Sequence, residues 1–368
     1  PKFKMPQVWR SNLNVDIQLP YDFMLSVGAM YTRDIYNVAQ INMNEAEPTG
    51  VYNEQPDRIY WASKKYEYND YTNGKNVVVK LSNGEDKGYQ YSFNAILTKK
   101  YDFGFTGSIG YTYTMAKDLT ANPGSAPNSA WQNNVAVNSL NDPGVSYSLF
   151  STPHRIIANA SYEINYAKCL KTTFSLFYSG YHTGRYSYTY YNDMNGDGNY
   201  SDLIYVPNSQ DEMTFVDITD KSGAITYSAV DQAKDFWDFV NNDSYLKDRK
   251  GKYVERNGSL TPWINRFDFK IAQDFYATLG GRKYGIQVSL DMLNVGNMIN
   301  SKWGAYQSCG LKSYDNVQLL KTASKVGEPL TYQINANSRE AFKERSSWQY
   351  TNTIGSAWSM QLGVKVTF

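Results

Sequence analysis

The chain has 368 residues, and its 36 lysines and arginines almost balance its 35 aspartates and glutamates, which leaves a formal net charge of +1 and no basic run to bind nucleic acid. The mean hydropathy is −0.56, and no stretch approaches the roughly 18 to 20 continuous apolar residues of a membrane helix. The 33 tyrosines, 16 phenylalanines and 8 tryptophans nevertheless make the chain unusually aromatic, as in membrane barrels, whose aromatic residues gather at the two interfaces.

Segments that alternate apolar and polar residues recur along the chain, with the period of two that is typical of a strand with one apolar face. In the first segment, Leu13, Val15 and Ile17 share a face and polar residues lie between them. Charged residues fall almost wholly on the polar face, as lipid requires, since a charge at mid-bilayer costs about 2 to 4 kcal/mol. The pattern predicts an all-β fold, a transmembrane antiparallel β-barrel. The nine segments are 12–19, 23–31, 91–97, 105–114, 156–165, 174–190, 266–271, 286–292 and 358–368.

The clearest alternation lies in the last eleven residues, 358–368, where every even position is apolar and every odd one is polar or glycine. About eleven residues is also the length that a tilted strand needs to cross a bilayer. We therefore expect the even positions to face lipid and Lys365 to face the lumen. The alternative is an ordinary antiparallel strand of a soluble protein.

Short and long connections alternate between these segments. Outer-membrane barrels have short periplasmic turns and long extracellular loops, so this alternation places the C-terminus in the periplasm. Aromatic residues are expected to form a ring at each end of the strands. The short links are 20–22, 99–102, 166–170 and 277–283, and the long loops are about 41–88, 118–153, 191–262 and 297–355. The short-turn ring comprises Tyr21, Tyr101, Tyr166, Tyr276 and Phe368, and Trp9, Tyr36 and Trp263 contribute to the other.

Nine is an odd number of strands, whereas single-chain bacterial barrels have an even number and no free edge, because unpaired backbone groups in lipid are costly. The first segment has no partner before it, and Pro1 follows neither a signal peptide nor an initiating Met. We expect residues 1–368 to form the C-terminal portion of one larger barrel. If that barrel has the 22 strands of large plugged transporters, these are its last nine, and the plug domain lies upstream of Pro1.

A series of motifs along the chain resembles one family. The chain resembles the C-terminal part of the barrel of TonB-dependent outer-membrane receptors, most closely the Oar-like receptors of Bacteroidetes-type bacteria. The order of the motifs is more specific than any one of them. They are Pro6-Gln7-Val8-Trp9-Arg10 with Asp16 and Leu19-Pro20; Pro153-His154-Arg155; Asn195-Gly196-Asp197-Gly198-Asn199 leading to Asp202-Leu203-Ile204-Tyr205-Val206-Pro207; Arg256-Asn257; Pro262-Trp263 with Arg266 and Asp268; Leu293-Asn294-Val295-Gly296-Asn297; and the terminal strand.

The resemblance implies a receptor in the cell outer membrane that imports a ligand through a plugged barrel. The TonB system would supply energy through a segment upstream of Pro1, and surface-exposed lipoproteins or other outer-membrane proteins are expected as partners. The first alternative is a structural or adhesive platform that docks surface proteins on its external loops; an upstream plug domain would favour transport. A soluble β-sandwich binding module is the third interpretation.

The strongest site signal is an acidic, glycine-rich segment in the third long loop. Oxygen donors at Asp193, Asn195 and Asp197, with Gly198 at the sixth position, match the first half of a calcium loop. Ile204 stands where a bidentate Glu is usual, so Asp202 is the candidate for the closing carboxylate. The candidate calcium ligands are Asp193, Asn195, Asp197, Asn199 and Asp202. A loop tip held by its own side-chain hydrogen bonds is the equal alternative.

Other candidate groups favour structural roles. His154 and His182 lie near the long-loop ends of successive strands, where a structural role is favoured over a metal pair. No local nucleophile signature such as G-x-S-x-G occurs, so we expect no enzyme site. Cys169 and Cys309 fall at opposite ends of the barrel, too far apart for a disulfide.

The third loop also contains an amphipathic helix candidate after Ser228, expected to pack on neighbouring loops. The ligand cannot be deduced from the sequence. Aromatic residues of the loops are candidates to stack on sugars or to hold apolar peptide side chains. They are Trp61, Trp131, Tyr188, Tyr190 and Trp303.

Overall fold

The computed structural model describes residues 2–68, 76–309, 312–313, 316–335, 339–344, 348–351 and 353–368. Its main element is an antiparallel sheet in which each long strand pairs with the next along the chain. A short strand, Ser146–Tyr147, also pairs with the fourth long strand. The nine long strands are β1 (Gln7–Leu19), β2 (Phe23–Tyr36), β3 (Tyr89–Lys100), β4 (Phe105–Asp118), β5 (His154–Tyr166), β6 (Leu170–His182), β7 (Trp263–Leu279), β8 (Arg282–Leu293) and β9 (Ser359–Thr367).

The pairing register aligns the apolar positions of neighbouring strands. Ile17 lies opposite Leu25, and Leu25 lies opposite Leu97 on the next strand. Near the other edge of the sheet, Leu290 is opposite Leu362. Since residues directly opposite each other point to the same face, the apolar sets of all nine strands form one continuous face, and the other face is mostly polar. A one-residue slip at any pairing would break this face.

The structure confirms the predicted all-β, antiparallel fold, and each predicted segment overlaps one of the nine long strands, although the segment 174–190 also extends into a separate strand. Most of the strands are longer than the sequence patterns, and β7 has 17 residues, whereas β9 has 9 residues against a predicted eleven. In the described residues β1 pairs only with β2 among the nine long strands, and β9 only with β8, so the sheet has two open edges. None of the helices in the described part of the chain has both the length and the apolar character needed to cross a membrane.

The four short links have the tight backbone geometry that their length requires. Gly280 and Gly281 join β7 to β8 with φ angles of 57° and 80°, the left-handed conformation of a two-residue hairpin turn. Between β1 and β2, a 3₁₀ turn at Pro20–Asp22 has positive φ at Tyr21 and Asp22. The predicted alternation of short and long connections is therefore present.

The long connections are not open loops but contain further secondary structure. Antiparallel pairs are formed by Ala39–Asn42 with Val79–Ser82, Gly50–Val51 with Ile59–Tyr60, Tyr205–Val206 with Lys252–Tyr253, Ile218–Thr219 with Ile225–Tyr227, and Gln307–Ser308 with Gln349–Tyr350. A second sheet contains Ser259–Leu260, Arg185–Tyr190, Asn316–Thr322, Lys312–Ser313 and Tyr332–Ile334. The α-helices are α1 (Pro127–Gln132), α2 (Ala229–Asn242), α3 (Val295–Ile299) and α4 (Arg339–Glu344), and 3₁₀ turns lie at Gln210–Glu212 and Leu246–Arg249.

These elements pack around a core of their own, which we call the loop core. Segments from the first, third and fourth long connections meet in it, with Val135 from the second. Tyr190, Ile204, Val240 and Leu320 are each completely buried there. Burying large apolar and aromatic side chains is the main stabilising term in such a unit. The long connections thus form one packed structure at one end of the main sheet.

The prediction that one strand continues from Phe174 through Tyr190 is wrong. β6 ends at His182, and Arg185–Tyr190 is a separate strand of the second sheet, buried along its whole length. It pairs in parallel with Asn316–Thr322. Its alternating tyrosines have the same sequence pattern as a barrel strand. Their hydroxyl groups, however, form hydrogen bonds inside the loop core, where the Tyr188 hydroxyl donates to Asp243 at 2.7 Å.

The amphipathic helix is confirmed as α2. The Ser228 hydroxyl accepts a hydrogen bond from the backbone N–H of Asp231 at 3.1 Å, as an N-cap does. Phe236, Phe239 and Val240 form its buried face in the loop core. Packing on neighbouring loops is therefore the observed role of its apolar face.

Candidate functional site

The acidic segment of the third long connection forms a tight loop. Both carboxylate oxygens of Asp193 accept backbone N–H groups, from Gly196 at 2.8 Å and Gly198 at 2.9 Å. Asn195 accepts from the N–H of Asp197 at 3.0 Å, and Asp197 from that of Asn199 at 2.7 Å. Gly196 and Gly198 have φ angles of 82° and 95°, which favour glycine. The acidic and amide side chains fold the backbone around themselves.

Three carboxylates in and after this loop are withdrawn from water. Asp197 and Asp202 are buried, and Asp193 is partly buried. Burial, and then the charges of Asp202 and Asp193, raise the pKa of Asp197 well above its usual range. Burial raises the pKa of Asp202 to about 7, although the charge of Arg58 opposes the shift. The charged forms of these carboxylates are therefore disfavoured in the loop as it stands, and a bound cation would stabilise them.

The side chains as they stand fit the self-bonded loop better than a completed calcium site. The Asp202 carboxylate lies 3.5 Å from the guanidinium of Arg58 and accepts a hydrogen bond from the backbone N–H of Met194 at 3.1 Å. Its oxygens are therefore already engaged by groups other than a cation. Within the described residues, no three His, Cys, Asp or Glu side chains are grouped so that they could hold one metal ion. The side-chain amide nitrogens of Asn195 and Asn199 are buried and have no hydrogen-bond partner in the part of the chain that the structure describes.

Arg58 is the central polar residue of the loop core, and sequence reasoning missed it. It is completely buried, donates to Gln55 at 3.2 Å and to the carbonyls of Val137 and Leu203, and its guanidinium carbon lies 4.7 Å from the ring centre of Tyr253. It thereby joins three long connections at one point. The only sequence signal is an arginine among loop residues, because its partners are distant along the chain.

Most of the loop aromatics that the sequence offered as ligand contacts are not accessible. Trp61 and Trp131 are 4% and 1% exposed, and Tyr188 and Tyr190 are 1% and 0% exposed. Only Trp303, at 54%, presents a large accessible ring. The prediction that the other four could stack on a ligand is wrong, because the loops fold into a core and need these aromatics to fill it.

The two histidines have structural partners. Nδ1 of His154 lies 2.6 Å from the Tyr111 hydroxyl, and Nδ1 of His182 lies 2.6 Å from the carbonyl oxygen of Thr261. Each ring thus has a partner of its own, in line with the structural role that the sequence favoured. Cys169 is exposed and Cys309 is buried, and no disulfide joins them.

Comparisons of the chain with protein-family models, with curated proteins and with solved structures gave no match. The functional argument therefore depends on the chemistry of the molecule. Three features carry that chemistry: the exposed apolar face of the main sheet, the acidic loop, and the pockets between the long connections.

Proposed function

We propose that this chain is the C-terminal part of a TonB-dependent outer-membrane receptor barrel and supplies nine strands of an expected 22. One observation carries the proposal: the main sheet has a continuous apolar face whose large side chains are exposed. Leu13 is 67% exposed, Phe93 and Ile109 are each 54%, and Leu362 is 72%. These residues lie on β1, β3, β4 and β9, so exposure extends from one edge of the sheet to the other.

Such a face needs a covering. Soluble monomers rarely expose a contiguous apolar patch of more than a few hundred Å², and this face extends over nine strands. In a soluble protein, a second sheet or a layer of helices would bury this face. The long connections do not cover it, because they fold at the ends of the strands. Lipid is the covering that matches an apolar face on one side and a mostly polar face on the other.

The aromatic residues support the same orientation. At the short-turn end, Tyr21 is 85% exposed, Phe103 is 64% and Phe368 is 94%. At the other end, Trp9 is 63% exposed. Exposed aromatic residues near both ends of the strands match what a barrel places at the two membrane interfaces, although Tyr36 and Trp263 of the second predicted ring are only partly exposed. The long connections would then be external and form the ligand-facing surface.

The proposed activity is import of a ligand that cannot diffuse passively, driven from the periplasm by the TonB system. A barrel of more than about 20 strands would leak unless a plug filled it, and import through a plug requires energy. The test is to delete the TonB-contacting segment of the full-length protein and to measure ligand uptake and surface binding separately. We expect uptake to be lost and surface binding to persist.

A second candidate is an outer-membrane platform that docks surface proteins. The observation that favours it is the loop core: the long connections are packed into a folded unit, which offers a shaped surface to another protein. Normal uptake after the deletion, or a barrel with no uptake in any condition, would favour the platform. In that case loss of the long connections should release the docked proteins from the cell surface.

We also propose that calcium stiffens the acidic loop. The support is the concentration of three withdrawn carboxylates and the matching order of donors at Asp193, Asn195 and Asp197, with Asp202 as the closing carboxylate. Binding would require Asp202 to share its charge between the cation and Arg58. The role would be structural, since the loop packs against Trp61, whose backbone N–H donates to the carbonyl oxygen of Asn195 at 2.7 Å.

A further inference from the structure

A pocket of about 420 Å³ lies at the end of the main sheet where the long connections begin. Leu149 and Phe150 line it just before β5, and Thr183 lines it just after β6. Ser308 and Trp348, which belong to the fourth long connection, also line it. The walls thus combine apolar and aromatic side chains with an amide and several hydroxyl groups, and a small-molecule pocket likewise places a few polar groups among apolar ones.

Arg185 also lines this pocket, and it is only 5% exposed. Its guanidinium carbon lies 4.3 Å from the ring centre of Tyr147, so one face of the group is covered. Nη1 donates to the carbonyl oxygens of Asn257 at 3.1 Å and Gly258 at 3.4 Å. These contacts hold the guanidinium in a fixed position beside the pocket.

The remaining edge of this guanidinium has no partner among the residues that the structure describes. Neither Nε nor Nη2 has a hydrogen bond there, and Nε is sealed from solvent whereas Nη2 is not. No carboxylate of the described residues forms an ion pair with Arg185, although Arg256, the neighbouring buried arginine, has Asp118 at 3.4 Å. The acidic group that acts on Arg185 from a distance is Glu255, which pairs with Arg249 at 3.4 Å.

An unpaired buried cation is costly, and buried charges are normally paired. Burial accordingly lowers the pKa of Arg185. The edge formed by Nε and Nη2 is the one that offers two parallel N–H groups to a carboxylate, a bidentate arrangement for which arginine is the preferred residue. The fold therefore holds the Nη2 side of this edge beside the pocket, and the described residues provide no carboxylate for it.

We propose that this pocket binds the carboxylate of an apolar ligand, such as the C-terminus of a peptide that ends in an apolar or aromatic residue. Nη2, the nitrogen that is not sealed, would donate to the carboxylate. Trp348, Leu149 and Phe150 would contact the apolar body of the ligand. A single cation matches one negative charge, which favours a carboxylate over a doubly charged phosphate.

The inference concerns binding, and it rests on the proposed function only for its biological role, in which it would name the ligand class of the receptor. The test uses the full-length protein in detergent and two probes, N-acetyl-leucyl-phenylalanine and the same dipeptide with a C-terminal amide. Isothermal titration calorimetry measures both affinities. Since a hydrogen bond to a charged group is worth about 10- to 100-fold in affinity, we expect the acid to bind at least about tenfold more tightly than the amide.

Variants then assign the effect to the pocket. Arg185→Gln should remove the preference for the acid. Phe150→Ala should weaken the binding of both probes, because Phe150 lines the pocket. This variant should still fold, since Phe150 is 78% exposed and has little role in the core. Lys302→Gln, which changes an exposed lysine outside this pocket, is the matched control and should leave both affinities unchanged. If Arg185→Gln fails to fold, the comparison of acid with amide on the unchanged protein still decides.

Equal affinity for acid and amide, or no binding of either, would overturn the inference. So would an acid preference that Arg185→Gln retains. These outcomes are separate from the fate of the proposed function. If the protein prefers the acid but shows no energised uptake, the pocket assignment stands and the transport proposal is refuted. If uptake occurs without any preference for the acid, the transport proposal stands and the pocket assignment is refuted.

Discussion

Replacing Ile109 by arginine should destabilise the protein strongly in a bilayer and hardly at all in water. Ile109 lies on β4, between Leu97 on β3 and Ala158 on β5. Its position is midway between Phe105 and Tyr113, the aromatic residues on the same face of the strand. Under the proposed orientation, this places its side chain near the middle of the membrane.

The expected size of the effect differs sharply between the two environments. A lysine or arginine on the lipid face at the bilayer midplane costs about 2 to 4 kcal/mol, or roughly 30- to 900-fold in the unfolding equilibrium. Ile109 is already 54% exposed in the structure. If water covered this face, an exchange there would change the free energy of unfolding by only about 0.5 kcal/mol.

The matched control is Ser108→Arg, one residue away on the polar face. It removes one hydrogen bond, from the Asn159 amide at 2.7 Å, so we expect a loss of about 1 kcal/mol. The assay is reversible denaturant unfolding of the full-length protein in lipid vesicles, followed by tryptophan fluorescence. Equal destabilisation by the two variants, or a larger loss for Ser108→Arg, would refute the assignment of the apolar face to lipid.

Three further predictions concern the long connections. Ser228→Ala should cost about 1 kcal/mol by removing the N-cap of α2, seen as faster proteolysis within residues 229–242, and unchanged proteolysis would contradict the capping role. Burial raises the pKa of Glu45 above 4.5, against hydrogen bonds from Ser139 and Asn141. The folded state therefore binds this proton more tightly than the unfolded state, so the contribution of Glu45 to stability should be fully present below about pH 4.5 and should be lost as the pH rises through the folded-state pKa; Glu45→Gln should remove this contribution from the pH dependence of the urea midpoint. Calcium should slow amide hydrogen exchange in residues 193–202, Asp197→Asn should remove that protection, and exchange that calcium does not change would reject the cation.

The nine long strands could be predicted from sequence because period two is a local signal and one face of each strand is uniformly apolar. The face that each strand presents could also be predicted, since a shift by one residue would turn Leu13, Leu25 and Leu97 to the other face. The limit of the method appears at Tyr186, Tyr188 and Tyr190. Their alternation is identical to that of a barrel strand. The chain leaves the main sheet at Thr183 and Gly184, and the tyrosines enter the loop core because of contacts with residues that are distant in the sequence.

The loop core could not be predicted because its contacts join residues that are far apart in the chain. Arg58 binds carbonyl groups from two other long connections, and nothing in its neighbours indicates them. The same limit applies to Arg185, because the sequence does not show that no carboxylate of the described residues forms an ion pair with it. By contrast, the acidic loop and the cap at Ser228 are short-range features, and their backbone hydrogen bonds agree with the residue types at those positions.

The most direct test of the central proposal is the contact of β9 with lipid, residue by residue. Single cysteines at positions 359 to 367, in a chain whose exposed Cys169 is replaced by serine, would each carry a small fluorophore in vesicles that contain brominated lipid. The proposal predicts strong quenching at Met360, Leu362, Val364 and Val366, and weak quenching at the odd positions between them. Quenching without this alternation, or strongest at Gln361 and Lys365, would contradict a lipid-facing apolar surface and with it the outer-membrane barrel.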